Sequence, residues 1–203
     1  MILAPGINVK RTPACGRNFE YFSEDPYLIS ELAVPLIEGI EESDVSACVK
    51  HFALNQQEEE RLWVNVEVDE RTLREIYLPG YEIPKKEESE HNWQEDSLKG
   101  KEEAFCTVSV KVKNTGTMAG METVQLYLGE KEVRAENPVK ELKAFEKVAL
   151  EPGESKEVRF ILDQSAFAHY DGNEGRFVTK AGTYTLYLGT SSQNILAERN
   201  VEI

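Results

Sequence analysis

The chain has 203 residues, of which 40% are hydrophobic, and a formal net charge of −14 at pH 7. This length accommodates one large domain or two small ones, and the hydrophobic fraction is sufficient for a packed core. The negative charge argues against binding to nucleic acid or to anionic membrane surfaces, whose phosphates would repel the chain.

The sequence contains no apolar run of about 20 residues, the length that crosses a bilayer. Its first residues, Met-Ile-Leu-Ala-Pro, have neither the basic start nor the apolar length of a secretion signal. We therefore expect a soluble protein. The sequence does not indicate a compartment, because we expect the native N-terminus to be absent.

The first half alternates short apolar runs with a helical pattern, which is typical of strand–helix units. Residues 2–5 and 46–50 are predicted to form short buried strands. Between them Ser23 is predicted to cap a helix whose first turn contains residues 24–26, and Pro35 should kink that helix. Its apolar face comprises Leu28, Ile29, Leu32, Ala33, Leu36, Ile37 and Ile40.

A second helix is predicted to begin at Asp69, with Leu73, Ile76 and Tyr77 on one face. After it, residues 89–103 are almost wholly polar and are predicted to be a charged linker, because they cannot bury enough apolar surface to offset the entropy of ordering.

From Ala104 onward the hydrophobic period becomes two, as in Val108, Val110 and Val112, and turn sequences separate the apolar runs. About seven short strands in this half predict an antiparallel sandwich of immunoglobulin or fibronectin type. Its tyrosines could pack in the core or form a surface for stacking on sugars, and core packing is the commoner role. They are Tyr127, Tyr170, Tyr184 and Tyr187.

The cysteines and histidines show no metal-ligand spacing. Cys15, Cys48 and Cys106 form an odd set, which indicates free thiols rather than disulfides or a zinc site. We expect no metal and no cofactor.

Four motifs carry a resemblance over residues 3–85: Ala-Pro-Gly-Ile-Asn-Val, Cys-Gly-Arg-Asn-Phe-Glu-Tyr-Phe-Ser-Glu-Asp-Pro, Val-Lys-His-Phe-Ala-Leu-Asn and Asp-Glu-Arg-Thr-Leu-Arg-Glu-Ile-Tyr-Leu-Pro. They resemble the barrel of glycoside hydrolase family 3, the β-glucosidase family. Residues 104–203 are similar to that family's fibronectin type III-like domain, through Val-Lys-Asn-Thr-Gly, Val-Gln-Leu-Tyr, Leu-Glu-Pro-Gly-Glu and Ala-Gly-Thr-Tyr.

The resemblance implies an α/β part followed by an all-β part. Residues 1–88 would be an incomplete (β/α)8-barrel fragment, residues 89–103 the linker, and residues 104–203 a fibronectin type III-like antiparallel β-sandwich. A complete barrel takes roughly 250 residues and eight strands, so the first block corresponds to about a third of one.

The resemblance also implies a substrate-binding role for Arg17, Lys50 and His51, which match family positions that hydrogen-bond sugar hydroxyls. Charged donors that follow barrel strands lie at the face where such enzymes bind substrate. Two alternatives remain open. Lys50 and His51 could end a strand in solvent, and Arg17 could form a structural ion pair with Glu20, Glu24 or Asp25.

No catalytic residue is identified in the chain. The family's nucleophile is an aspartate usually followed by Trp, whereas Leu62 precedes Trp63 and Asn92 precedes Trp93. Asp44, on the approach to a strand, is a poor substitute. The middle α/β domain, which supplies the acid/base in many members, is missing from this sequence. Hydrolysis of a terminal β-D-glucosyl residue requires two flanking carboxyl groups, so we expect an inactive fragment that binds a β-glucoside or glucose weakly.

Two other functions are compatible with the sequence. The chain could be a non-enzymatic interaction module, or one half of a split enzyme completed by another chain. Exposed barrel edges would then drive self-association or the binding of that complementing chain.

Overall fold

The computed structural model describes residues 1–82, 105–132 and 137–203. The predicted linker, residues 89–103, lies outside the described residues. The chain divides into two compact units, one comprising Met1–Glu95 with Tyr170–Arg176 and the other comprising Asp96–His169 with Phe177–Ile203. Among the described residues the regular structure is mostly β-strand with few helices, and none of those helices is long and apolar enough to cross a membrane.

The first unit contains two extended segments that run parallel to each other. Ile2 pairs with Ala47, and Gly6 pairs with Lys50. The Ile7 amide donates to the Lys50 carbonyl at 2.7 Å. The prediction of two buried strands is wrong here, because only single bridges form and Ile2 is 45% exposed. Pro5 has no N–H to donate to a continuous ladder, and the apolar cluster begins after it, at Ile7.

Helix α1 (Pro26–Glu41) connects the two extended segments. Its N-cap is Asp25, whose carboxylate accepts from the Leu28 amide at 2.8 Å. The prediction that Ser23 caps the helix is wrong by two residues. The Ser23 hydroxyl instead accepts from the Asp25 amide at 3.0 Å. Ser23 therefore orders the turn that places the capping carboxylate.

The buried face of α1 is narrower than the predicted face. Ile29 and Ala33 are fully buried, whereas Leu32 and Leu36 are 41% and 42% exposed. The small core of this unit consists of buried Ile7, Val9, Ile29 and Ala33, with Phe22, Val49, Ile76, Tyr77 and Tyr81 packed against it. Only one edge of the helix therefore contributes to the core.

The predicted second helix is confirmed at its start and is irregular after it. Asp69 is the N-cap of α2 (Glu70–Thr72) and accepts from the Thr72 amide at 2.8 Å. A π-helical turn follows at Leu73–Tyr77, and a 3-10 turn at Pro79–Tyr81. Another 3-10 turn covers Asn18–Glu20.

Eight strands are described in the second half of the chain. A four-stranded antiparallel sheet has the order β3-β2-β7-β8, β1 pairs with β4, and β5 pairs with β6. The strands are β1 (Cys106–Lys113), β2 (Gly120–Glu130), β3 (Glu141–Leu150), β4 (Ser155–Leu162), β5 (Ala168–Asp171), β6 (Arg176–Thr179), β7 (Thr183–Gly189) and β8 (Ile195–Glu202). The sequence predicted about seven strands, one fewer than the structure contains here, and the alternating Val108, Val110 and Val112 lie in β1.

The core of the β-rich unit follows the two-residue period of its strands. In β1 partly buried and exposed residues alternate along the whole strand, and in β4 Val158, Phe160 and Leu162 are buried. The remaining buried residues are Val124, Leu126, Leu128, Val148, Leu150, Phe167, Tyr184 and Leu186. Tyr127 and Tyr184 are at most 7% exposed, as expected for tyrosines that pack rather than stack on a ligand.

Candidate functional site

Glu20 brings two of the three predicted site residues together. Its carboxylate accepts from the Arg17 Nε through one oxygen and from Lys50 Nζ, at 2.8 Å, through the other. The side chains are 23%, 16% and 26% exposed for Arg17, Glu20 and Lys50, respectively. Arg17 precedes the short 3-10 turn and Glu20 is its last residue, whereas Lys50 ends the second extended segment.

The cations keep Glu20 ionised. Burial would raise the pKa of Glu20, but the hydrogen bonds from Lys50 and Arg17 outweigh it and hold that pKa below its ordinary value. The same ion pair raises the pKa of Arg17. The ion pair that the sequence allowed for Arg17 is therefore present. Because its partner Glu20 also bonds to Lys50, the ion pair keeps Arg17 in the same cluster as Lys50.

The main chain of His51 is held from two sides. The buried Asn8 side chain accepts from the His51 amide at 2.7 Å and donates to the His51 carbonyl at 2.9 Å. The Tyr81 hydroxyl donates to the same carbonyl at 2.7 Å. The Lys50–His51 peptide bond is cis. These bonds fix His51 at the end of the second extended segment rather than leaving it as a free strand end.

The His51 ring begins a chain of polar contacts. Its Nδ1 lies 3.2 Å from the Tyr21 hydroxyl, which accepts from Asn55 Nδ2 at 3.3 Å. Asn55 also donates to Glu58 at 3.0 Å, and Glu58 accepts from Arg61 Nη1 at 2.9 Å. Asn55 and Arg61 line a cavity of about 380 Å³ bounded by residues 53–57, 61 and 64–67.

His51 is neutral at physiological pH. Burial lowers its pKa below 6.5, and the nearby Arg17 and Lys50 lower it further, against the smaller opposing influence of Glu20 and Glu58. Because the pKa is lower in the folded chain, acidification from about pH 6.5 downward should destabilise the fold around His51.

The arrangement offers hydrogen-bond donors more than proton-transfer groups. Lys50 and Arg17 are fixed cations beside a neutral imidazole, and the carboxylates of Glu20 and Glu58 are both paired with cations. Fixed donors of this kind suit the hydroxyl oxygens of a polar ligand. Within the described ranges, no group of three or more His, Cys, Asp or Glu side chains is placed to hold a metal ion.

Sequence reasoning missed the residues that hold the site. Asn8, Tyr21 and Tyr81 are 30 to 43 positions from His51. The only local signal was that Asn8 and Tyr21 fall within the motifs quoted above, next to the apolar residues Ile7 and Phe22. Glu20 was named from the sequence as one possible ion-pair partner of Arg17, and its bridge to Lys50 was not predicted.

Two family models match the chain. Residues 1–87 match the glycosyl hydrolase family 3 N-terminal domain, and residues 122–192 match the fibronectin type III-like domain. The chain is 61% identical over 82 residues to thermostable β-glucosidase B of Acetivibrio thermocellus, covering 40% of this chain and 11% of that protein. It is 50% identical over 82 residues to an exo-α-(1→6)-L-arabinopyranosidase of Bifidobacterium breve, with the same coverage.

Among solved structures, the GH3 β-glucosidase of Bifidobacterium adolescentis is 39% identical, covering 48% of this chain and 14% of that chain, with a TM-score of 0.46. The chain thus spans about a tenth of the length of the curated relatives it matches. Residues 1–87 are thus related to the N-terminal domain of glycosyl hydrolase family 3, the family of β-glucosidases, and residues 122–192 to a fibronectin type III-like domain.

Proposed function

We propose that residues 1–88 provide part of the sugar-binding subsite of a β-glucosidase-type glycosidase, in which Arg17, Lys50 and His51 hydrogen-bond glucose hydroxyls. The observation that carries this proposal is the single cluster in which Glu20 joins Arg17 and Lys50 next to the fixed His51. The similarity to a β-glucosidase over these residues supports it.

The binding should be weak. Three donors provide only a few hydrogen bonds to hydroxyls that water already satisfies, so each adds about 0.5–1.5 kcal/mol at most. Arg17 and Lys50 are held by Glu20 before the sugar arrives, which lowers the entropy lost on binding. We expect a dissociation constant in the millimolar range, which corresponds to about 4 kcal/mol.

We also propose that the chain does not hydrolyse a glycoside by itself. Glu20 has a lowered pKa and is paired with two cations, so it cannot donate a proton near neutral pH. Glu58 is held by Asn55 and Arg61.

We further propose that the two parallel segments and α1 are part of an incomplete (β/α)8 barrel, whose remaining strands would bring the second half of the site.

Lys50→Met should abolish most of the glucose binding, because it removes one of the three proposed donors, the cation next to His51 in the sequence. In an amide NMR titration of the full chain with glucose, we expect shifts at residues 17, 50 and 51, and a loss of affinity of about tenfold in the variant. Lys111→Met, on an exposed position of β1, is the matched control. Shifts that are absent in the wild type, or equal in both variants, would contradict the proposal.

An aryl β-glucoside assay tests the absence of hydrolysis directly. The purified full chain should release no aryl product above the uncatalysed rate. Glucoside turnover that copurifies with the chain and is lost in Lys50→Met would show that it contains a complete catalytic site.

The exposed apolar residues support a second role in association. Phe52, Leu62 and Trp63 are 77%, 82% and 86% exposed. Each of the two extended segments pairs only with the other among the described residues. We propose that this surface associates with a second copy of the chain. Light scattering should give twice the mass of 23.0 kDa. A monomeric mass would contradict association with a second copy, and a complementing polypeptide would then be the partner to test.

A further inference from the structure

The His51 ring nitrogen Nδ1 has two polar neighbours, an amide oxygen that can only accept and a hydroxyl that can donate or accept. It lies 3.2 Å from the Tyr21 hydroxyl and 3.3 Å from Asn8 Oδ1. A neutral imidazole carries one proton, on Nδ1 or on Nε2. Nδ1 therefore either accepts from the Tyr21 hydroxyl, or carries the proton and donates to Asn8 or to Tyr21. This choice determines whether Nε2 is a donor or an acceptor.

The Asn8 contact favours an unprotonated Nδ1. The two bonds of the Asn8 amide to the His51 main chain determine its orientation, because a reversed amide would place donor against donor and acceptor against acceptor. Its oxygen already accepts a short bond, of 2.7 Å, from the His51 amide. The ring contact, at 3.3 Å, is the longer of the two contacts to this oxygen.

The Tyr21 contact favours the same state. Tyr21 is 4% exposed, and its hydroxyl accepts from Asn55. Its own proton needs an acceptor, since a buried hydroxyl left unpaired is costly. Within the part of the chain that the structure describes, the acceptor within hydrogen-bond distance of this hydroxyl is His51 Nδ1.

We propose that Tyr21 is a positioning residue that fixes His51 as its Nε2–H tautomer, so that the ring presents a hydrogen-bond donor to a sugar hydroxyl oxygen. The sugar in this statement rests on the proposed function, whereas the tautomer does not. With Nε2–H, the imidazole, Lys50 and Arg17 all act as donors, which suits a ligand that offers hydroxyl oxygens.

The surroundings keep the ring in its neutral form, where the tautomer is defined. The charged groups around the ring are Arg17, Lys50, Glu20 and Glu58, and with burial their net influence lowers the pKa of His51. At pH 7.5 the ring of the wild-type chain is therefore neutral, and its two nitrogens can be distinguished by their nitrogen chemical shifts.

A long-range ¹H–¹⁵N correlation spectrum of the full chain tests the proposal without any ligand or variant. The chain has only three histidines, so the ring signals can be assigned. We expect His51 Nε2 at the shift of a protonated ring nitrogen and Nδ1 at that of an unprotonated one. A protonated Nδ1, or an equal mixture of both tautomers, would overturn the proposal.

Tyr21→Phe tests the role of the hydroxyl. Without that donor, Nδ1–H can form and donate to Asn8 Oδ1, so the Nδ1–H population should rise several-fold. Tyr81→Phe is the matched control, because its hydroxyl contacts the His51 carbonyl rather than the ring, and the tautomer should not change. An unchanged tautomer in Tyr21→Phe would contradict the proposal. If that variant does not fold, the wild-type spectrum still decides.

Glucose binding separates this inference from the proposed function. Tyr21→Phe should weaken the affinity for glucose about threefold to tenfold, the effect of one hydrogen bond, while the site residues keep their amide shifts in the free chain. If the wild type has the Nε2–H tautomer but does not bind glucose, the proposed function fails and the tautomer assignment stands. If it binds glucose with a protonated Nδ1, the reverse holds.

Discussion

Ile29→Ala is expected to unfold the unit that carries the candidate site. Ile29 is fully buried in α1 and belongs to a core cluster with only three other buried residues. Removing its side chain loses apolar burial and leaves a cavity, which costs about 2–5 kcal/mol. A small core has few other contacts with which to offset such a loss. Amide hydrogen exchange should therefore show loss of protection throughout residues 1–82.

The matched control is Leu32→Ala, one turn along the same helix. Leu32 is 41% exposed, so its removal should cost less than about 1 kcal/mol and leave exchange protection nearly unchanged. Protection of β2 and β7 should persist in both variants, because Leu126 and Leu186 belong to a different core cluster. Equal effects of the two substitutions would show that the cluster around Ile29 does not hold this unit together.

The β-strands of the second half could be predicted closely because their pattern is local. Alternation of apolar and polar residues sets the face of each strand, and Asn114 and Gly153 mark turns that the structure contains. The Asn114 side chain donates to the Leu150 carbonyl at 3.0 Å, so a residue recognised as a turn former also ties two strands together.

The first half was less predictable because its contacts are not local. Apolar composition alone indicated buried strands at residues 2–5, but burial depends on what packs against them, and Leu3 is 63% exposed. Similarly, the helical pattern included Leu36, which is 42% exposed, because periodicity does not say how wide the covered face is.

In the candidate site, too, local features could be predicted from the sequence and long-range contacts could not. Arg17, Lys50 and His51 could be named from motifs within a few residues of chain. The residues that place them could not, because Asn8 contacts His51 across 43 positions and Tyr21 does so across 30. A buried asparagine at 2% exposure has no signature in sequence beyond its polarity in an apolar context.

Glu20→Gln is expected to weaken both the fold and sugar binding. The substitution keeps the size of the side chain but removes the charge that Arg17 and Lys50 share, so two partly buried cations lose their counter-ion. Breaking such a pair costs more than breaking an exposed one, and we expect a loss of about 2 kcal/mol at pH 7. Glucose affinity should fall about tenfold, because Lys50 is no longer held in place.

The pH dependence identifies the cause of this loss. The pKa of Glu20 is lower in the folded chain than its ordinary value of 4.5, so its stabilising effect is complete above that pH and is lost as the pH falls through the folded value. The difference in unfolding free energy between the wild type and Glu20→Gln should therefore be constant from pH 7 to about pH 5 and shrink below pH 4.5. Glu24→Gln, at an exposed position four residues later, should change neither stability nor binding. A difference that persists undiminished at pH 3 would show that the packing of Glu20, rather than its charge, organises the site.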